Sequence, residues 1–526
     1  MTRNQEQEES ATESRYQRQA SLLSHQGWDQ SKLSNATVAV VGNDCLAQYA
    51  ALTLTAFGFG HIEIYGKGVV DNTLLANHKR IERDNGLNNN QNKSLNFSEG
   101  FMHYESRVGQ TKSGSLEAIL HKINPEIDIT GINLSMERSE NCEILSKPNV
   151  IVEATNNPAS KIAVFEYADR NKIPVVSMSV SAKKGAVGIY NPQKRIAADL
   201  YENLLFYDLK EKNNSQNPAI SQVIAGIGIE EARKIINPMK DEQVIDDIVV
   251  YNRESDKRFD NNNHNREKNI APYVDLKDYS VCLIGAGALG NFASLALTLS
   301  NIGKLTIVDY DTAEIHNLNR QILLYEGVGI EKCVALADKL KAINPRGNYV
   351  ARAEKITPDS DEFFKKGKFD LILDTVDNNQ TRALLNYFSL KYEIPFISGG
   401  TRYNSGQANI CVPKESACLN CQADIDNLAL GNIARERQSC IYAAQPSVIT
   451  SNEITGGLMA LESMSVLDPK KYGDFARGEL KFVSNEEYRL ALLPAAKSNC
   501  ECYNDKKKIG NWLTKMKEVY KNEPRR

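Results

Sequence analysis

The sequence predicts two doubly wound α/β domains in tandem, folded on each other as an internal pseudo-dimer. Three observations carry this. The chain has 526 residues, room for about three domains at roughly 100–200 residues each. Its first and second halves align as copies of one α/β unit. Between them lies a polar, Asn- and Lys-rich tract, 253–270, read as the linker.

The repeat starts with TVAVVGNDCLAQYAALTLTAFGFGHIEIYG, which aligns without a gap on SVCLIGAGALGNFASLALTLSNIGKLTIVD. Gly42 falls opposite Gly285 and Gly60 opposite Gly303. Each block reads as a buried strand, a tight turn, an amphipathic helix and a second strand. EATNNPASKIAVFEYADRNKIPVVS then matches DTVDNNQTRALLNYFSLKYEIPFIS, with Asn156 opposite Asp377. PAISQVIAGIGIEEARKIINP matches PSVITSNEITGGLMALESMSVLDP. Strand–helix alternation with buried strands is the signature of a parallel sheet covered on both faces. The expected divisions are a disordered terminus at 1–14, a first domain at 15–252, the linker, a second domain at 271–505, and a basic tail at 506–526.

Composition narrows the class. Hydrophobic residues make up 41% and charged residues 25%, with 63 basic against 66 acidic side chains. A net charge of −3 gives no bulk attraction for nucleic acid. No apolar run approaches a membrane span, and the polar N-terminus has no signal-peptide pattern. A cytoplasmic protein is expected, and ten cysteines are too few for a disulfide scaffold.

Only the second half carries an intact nucleotide signature. Gly285, Gly287 and Gly290 of GAGALG follow a strand and open a helix, so the backbone can approach phosphates at the helix N-terminus. Asp309 ends the next strand, where it can hold ribose hydroxyls. Asp311, Asn317, Arg320 and Lys332 follow, and Asp374, Asp377 and Arg382 close the next strand. Arg and Lys beside a carboxylate able to bind Mg²⁺ suit a triphosphate better than a nicotinamide. The first half has GNDCLA for GAGALG, Gly66 for Asp309 and Asn156 for Asp377, so it is expected to be a scaffold without a competent site.

The cysteines add two features. Cys418 and Cys421, with Cys500 and Cys502, form two close pairs that point to a structural tetrahedral zinc site with no open position. Cys440 stands between them, near Arg435 and Arg437, which favour its thiolate. No histidine lies near it, so a Cys–His hydrolase is not indicated. Cys45, Cys142, Cys282, Cys333 and Cys411 are expected in the core.

From RYQRQ at Arg15 to Cys502, the chain resembles the ThiF-type, ubiquitin-activating superfamily. The likeness rests on GAGALG, VDYD, HNLNRQ, Lys332, DTVDN, ISGG, the paired cysteines and PSVITSN. It implies tandem Rossmann-like domains, and ATP- and Mg²⁺-dependent adenylation of the C-terminal carboxylate of a ubiquitin-like β-grasp protein. On that resemblance Asp309 binds ribose, Asn317, Arg320 and Lys332 handle phosphates, and Asp377, beside Asn378, binds Mg²⁺. Arg18 would reach the ATP of the second half from the first. Cys440 would take the modifier as a thioester and pass it to a conjugating enzyme. The layout is similar to compact prokaryotic activating enzymes, with too few residues after Cys502 for a ubiquitin-fold domain. The rival readings are a sulfur-carrier adenylyltransferase of the molybdopterin or thiamine type, a peptide-modifying adenylyltransferase, and a non-catalytic partner subunit. Association of two such chains is left open.

Overall fold

A computed structural model describes residues 15, 16, 19, 27–71, 100–102, 107–193, 216–255, 258, 259, 271, 274–436, 448–485, 490–494, 500 and 502–521. The expected disordered terminus, Arg18, Cys440 and most of the linker tract lie outside the described residues.

Each half is built on one mixed sheet. The first comprises β1 (Thr37–Val41), β2 (His61–Tyr65), β3 (Asp128–Ile132), β4 (Val150–Glu153), β5 (Val175–Val180), β6 (Lys184–Tyr190) and β7 (Val249–Asn252). Its strand order is 3-2-1-4-5-6-7. The second comprises β8 (Ser280–Ile284), β9 (Lys304–Val308), β10 (Asn348–Arg352), β11 (Leu371–Asp374), β12 (Phe396–Arg402), β13 (Ser405–Cys411), β14 (Gly478–Val483) and β15 (Leu490–Pro494). Its order is 10-9-8-11-12-13-14-15. The first five strands of each order run parallel. The strands after them pair antiparallel. Chain direction across the sheet reverses between β1 and β4, and again between β8 and β11. Those are the places where open α/β sheets bind ligands.

The helices that position the site are α1 (Cys45–Phe57), α2 (Lys112–Ile123), α3 (Pro158–Asn171), α4 (Pro218–Ile236), α5 (Ala288–Leu299), α6 (Lys332–Ile343), α7 (Asn379–Tyr392), α8 (Ile425–Glu436), α9 (Ile449–Leu467) and α10 (Lys506–Lys521). The aligned glycines Gly60 and Gly303 have a packing cause. A Cβ on Gly60 would lie 1.7 Å from the Ser34 carbonyl oxygen, and one on Gly303 would lie 1.8 Å from that of Lys277.

The halves meet through helices. α4 packs on α1 and α9, and α9 on α5. Every residue of α4 from Pro218 to Lys234 is buried, as is every residue of α9 from Ile449 to Ser465. Helices buried on all sides lie inside a core, and one cluster of buried residues runs through both halves. Polar contacts fix the register across the junction. Thr53 donates to Glu453 at 2.7 Å, Gln222 to the Glu453 carbonyl at 2.8 Å, and Thr450 to Glu230 at 2.8 Å.

The described residues of two stretches expected outside the domains pack against them. In the tract read as a linker, Arg253 and Arg258 are buried; Arg253 donates to the Tyr472 carbonyl and Arg258 pairs with Glu462 at 2.8 Å. The stretch read as a basic tail forms α10. Its lysines hide an apolar face of Ile509, Trp512, Leu513 and Met516 that packs on the second core, with Trp512 stacked on Tyr387 at 4.3 Å between centroids.

Candidate functional site

The site forms where the C-terminal ends of β9, β8 and β11 lie side by side. Gly285 leaves β8 with φ +102, a conformation that glycine adopts without a Cβ penalty. A Cβ on Gly290 would stand 2.0 Å from the Gly285 carbonyl oxygen, so this turn admits nothing larger. At Gly287, by contrast, a Cβ would meet nothing within 4 Å. Gly287 is the N-cap of α5 and no side chain caps that helix. Among the described residues no side chain accepts from its first N–H groups, which lie at the positive end of the helix dipole.

Most of the residues the sequence singled out for the nucleotide lie on the loops that follow β9 and β11 and at the start of α6. Asp309 accepts from the Ala286 N–H at 2.6 Å and the Asp311 N–H at 2.8 Å, so it faces the glycine turn. Burial raises its carboxyl above the ordinary range, against those two N–H groups and Lys332. Lys332 begins α6 and pairs with Asp311 at 3.0 Å. Asn317 is buried and its Oδ1 has no hydrogen-bond partner among the described residues, an acceptor left for a ligand. Arg320 is also buried and donates to the His316 carbonyl and Asn319 Oδ1. Asn291 of α5 accepts from the Leu323 N–H at 2.9 Å, which ties this loop to the glycine turn. Asp377 is exposed three residues past β11, and Asn378 caps α7 through the Thr381 N–H.

Arg382 and Asp374 belong to the frame rather than to the opening. Arg382 donates to Ser398 Oγ and to the Val376 and Gly399 carbonyls, and its Nε lies 3.8 Å from Asp374. The first half repeats this clamp with Lys161, which bonds Glu153, Ser177 Oγ and the Met178 carbonyl. A pair kept in the half without the glycines ties strand ends together; it does not mark a ligand site.

The corresponding crevice of the first half is filled. Asp44 caps α1 through the Ala47 N–H, while Gln216 accepts from the Leu46 N–H at 3.2 Å and donates to Asp44 at 2.6 Å. The amides that would meet phosphate are already satisfied, and a carboxylate stands among them. Burial pushes the Asp44 carboxyl up to about 6. Where Asp309 would be, a Cβ on Gly66 would lie 2.6 Å from the Asn43 side chain. Lys112 nevertheless begins α2 as Lys332 begins α6, its N–H bonded to the Gly68 carbonyl as that of Lys332 is to Asp311. The repeat therefore extends over 107–126 and 327–346. Its signal, Ile-Asn-Pro at Ile123 and again at Ile343, was present in the sequence and missed.

Arg15 is structural: it donates to the Ile123 carbonyl at 3.1 Å and lies 3.5 Å from Glu126. The four paired cysteines converge, with their sulfurs all within 4.8 Å of one another and Cys421 and Cys502 at 3.6 Å. Tetrahedral zinc with bonds of about 2.3 Å needs sulfurs about 3.8 Å apart, so this cluster fits the ion. The single spacer residue between Cys500 and Cys502 is no obstacle, because Cys502 opens a short 3₁₀ turn. Cys45, Cys142, Cys282, Cys333 and Cys411 are buried, as expected.

The ThiF family model matches twice, over residues 93–271 and 266–504. The chain belongs to the ThiF family. It is 30% identical over 274 residues to ubiquitin-like modifier-activating enzyme 5 of Dictyostelium discoideum, covering 48% of this chain and 68% of that protein. It is 32% identical over 156 residues to the adenylyltransferase and sulfurtransferase MOCS3 of Culex quinquefasciatus, covering 30% of this chain and 35% of that protein. The chain thus spans about two thirds of one relative and about a third of the other. A crystal structure of E. coli MccB with AMPCPP and MccA superposes with a TM-score of 0.37 at 22% identity, over 42% of this chain and 66% of that one. No helix among the described residues is long and apolar enough to cross a membrane.

Proposed function

We propose that the second half of this ThiF-family chain activates a ubiquitin-like β-grasp protein at its C-terminal carboxylate, using ATP. The observation that carries this reading is the contrast between the two crevices. The N-terminus of α5 has no side-chain cap among the described residues and Asp309 bonds the turn before it, while Asp44, Gln216 and Asn43 fill the equivalent place in the first half.

In this reading the glycine turn and the first N–H groups of α5 cradle the phosphates, and Asp309 holds the ribose. Asp377 holds Mg²⁺, which neutralises phosphate charge when bound. A carboxylate oxygen of the modifier attacks the α-phosphorus, the bond to the bridging oxygen breaks, and pyrophosphate leaves with the electron pair. Arg320 and Lys332 stabilise the charge that develops on the phosphates. Arg18 adds a guanidinium from the first half, which forks onto a terminal phosphate as lysine cannot. The Cys440 thiolate then attacks the acyl carbon and AMP departs, leaving a thioester that a conjugating enzyme's cysteine accepts. Zinc on Cys418, Cys421, Cys500 and Cys502 holds α10 and the start of α8 to the second core.

Relatedness to the Culex protein supports a second reading, in which the protein adenylated at its C-terminal carboxylate is a sulfur carrier. A chain with one filled crevice fits that less well than a symmetric dimer with two sites would. The test is ATP–pyrophosphate exchange that depends on a ubiquitin-like protein. Exchange is expected with the intact chain and is expected to vanish with Asp377→Asn. Undiminished exchange by Asp377→Asn would remove Asp377 from the site.

A further inference from the structure

We propose that Asn319 and Gln19 are positioning residues: a hydrogen-bond relay running from the first half sets the Arg320 guanidinium for the phosphates of ATP. The proposal rests on the reading of Arg320 as a phosphate ligand.

The relay is continuous and buried. The Phe57 carbonyl at the C-terminal end of α1 accepts from Gln19 Nε2 at 3.0 Å, and from Gln30 Nε2 at 3.1 Å. Gln19 Oε1 accepts from Asn319 Nδ2 at 3.3 Å, three hundred residues away in sequence. Asn319 Oδ1 then accepts from Arg320 Nη1 at 2.8 Å. Gln19 and Asn319 are 0% exposed and Arg320 is 7% exposed, so water does not compete for these bonds.

The direction of the relay is fixed by its ends. A backbone carbonyl can only accept and a guanidinium can only donate. The two amides between them must therefore each present nitrogen toward Phe57 and oxygen toward Arg320; reversing either would set two donors or two acceptors face to face. Dipoles aligned in this way polarise one another in a dry site. The chain starts at the negative end of the α1 dipole and ends on a cation, so the alignment favours the charged end. Gln19 is held on the first-half side as well. Its Nε2 donates to Gln30 Oε1 at 2.7 Å, and the neighbouring Tyr16 hydroxyl accepts from Asn124 at 2.8 Å. The first half thereby fixes a side chain in the crevice of the second.

The experiment measures the KM for ATP in modifier-dependent pyrophosphate exchange by the full chain, alongside the unfolding midpoint. Variants are Asn319→Ala, the near-isosteric Gln19→Met, Arg320→Ala, and the doubles Asn319→Ala/Arg320→Ala and Gln19→Met/Arg320→Ala. Each relay variant is expected to raise the KM for ATP about tenfold, equivalent to about 1.4 kcal/mol. Neither should raise it further once Arg320 is absent, because the relay acts only through that guanidinium. A purely structural role would lower the unfolding midpoint and add to the Arg320→Ala effect. Additive effects, or an unchanged KM in Asn319→Ala and Gln19→Met while Arg320→Ala is impaired, would overturn the relay and leave the function standing. Unimpaired exchange by Arg320→Ala would instead overturn the phosphate role of Arg320, and the relay with it.

Discussion

Gly287→Ala tests the proposed phosphate cradle with little disturbance of the fold. Gly287 sits at φ −72 and ψ −164, which alanine adopts without strain, and the added methyl would meet no protein atom within 4 Å. Two small effects on stability oppose each other. Alanine is a poorer N-cap than glycine by up to about 1 kcal/mol, and it narrows the unfolded ensemble by about 0.4–1 kcal/mol. The net change in unfolding free energy should therefore stay within about 1 kcal/mol. In the proposed site, however, the methyl would enter the open space beside the α5 amides that phosphate is to meet. Losing one charge-assisted hydrogen bond there costs about 1.5–3 kcal/mol, which is roughly 10- to 100-fold in the KM for ATP. Denaturant unfolding and pyrophosphate exchange on the same preparation read both quantities. Gly290→Ala is the contrasting control: its Cβ would lie 2.0 Å from the Gly285 carbonyl oxygen, so it should destabilise the second half by at least about 1–3 kcal/mol. If Gly287→Ala is stable and uses ATP like the unaltered chain, the glycine turn does not cradle phosphate and the proposed site is wrong.

Cys440→Ala should keep adenylate formation and lose the reductant-sensitive thioester to the modifier, read on a non-reducing gel; a thioester that survives would move the role to another cysteine. Metal analysis should find close to one zinc per chain, lost in Cys418→Ser. Because structural zinc contributes about 10–16 kcal/mol in small peptides, that loss should loosen α10 and shift the fluorescence of Trp512, one of two tryptophans; a stable metal-free protein with unaltered emission would contradict the assignment. Asp44 predicts a pH dependence. Burial raises its carboxyl from 3.8 to about 6, so the folded chain holds this proton more tightly than the unfolded one. Its contribution is present in full below pH 3.8 and is lost as pH rises through about 6. The two limits differ by roughly 3 kcal/mol. Asp44→Asn should remove that slope from unfolding free energies measured between pH 4 and 7, and an unchanged slope would show that Asp44 titrates normally.

The legible parts of this chain were those where backbone geometry dictates residue type. Gly60 and Gly303 stand against carbonyl oxygens, so the constraint survives in both halves whether or not a ligand binds. The glycine turn was legible for the same reason, and the cysteine pairs because four thiols that converge on one point keep that spacing. Asp374 and Arg382 misled because an acid and a base after a strand look alike as ligand and as clamp; only the recurrence of Glu153, Lys161 and Ser177 at matching positions separates the two. Helix α10 was hidden by composition. Six lysines between Lys506 and Lys521 draw attention from Ile509, Trp512, Leu513 and Met516, whose spacing of three and four marks one buried face. The role of Gln19 was out of reach of the sequence, since its partner Asn319 is brought to it only by packing of the halves.

That packing accounts for the retention of a half with a filled crevice. Helix α9 belongs to the second sheet, yet it is buried on all sides because α4 of the first half covers it. Without that cover its outer face would meet water, at roughly 25 cal/mol per Å² of apolar surface uncovered. The polar contacts across the junction would suffer too. Glu453 would lose the Thr53 hydroxyl, its one side-chain partner among the described residues, and Glu230 and Thr450 would separate. A duplicated domain can therefore lose its glycines and acids under no constraint except that its helices keep their shape. The first half fits that account: Asn43, Asp44 and Gln216 fill its crevice, and α1 and α4 keep their buried faces. Filling the crevice also removes an uncapped helix end that no longer has a ligand to satisfy it.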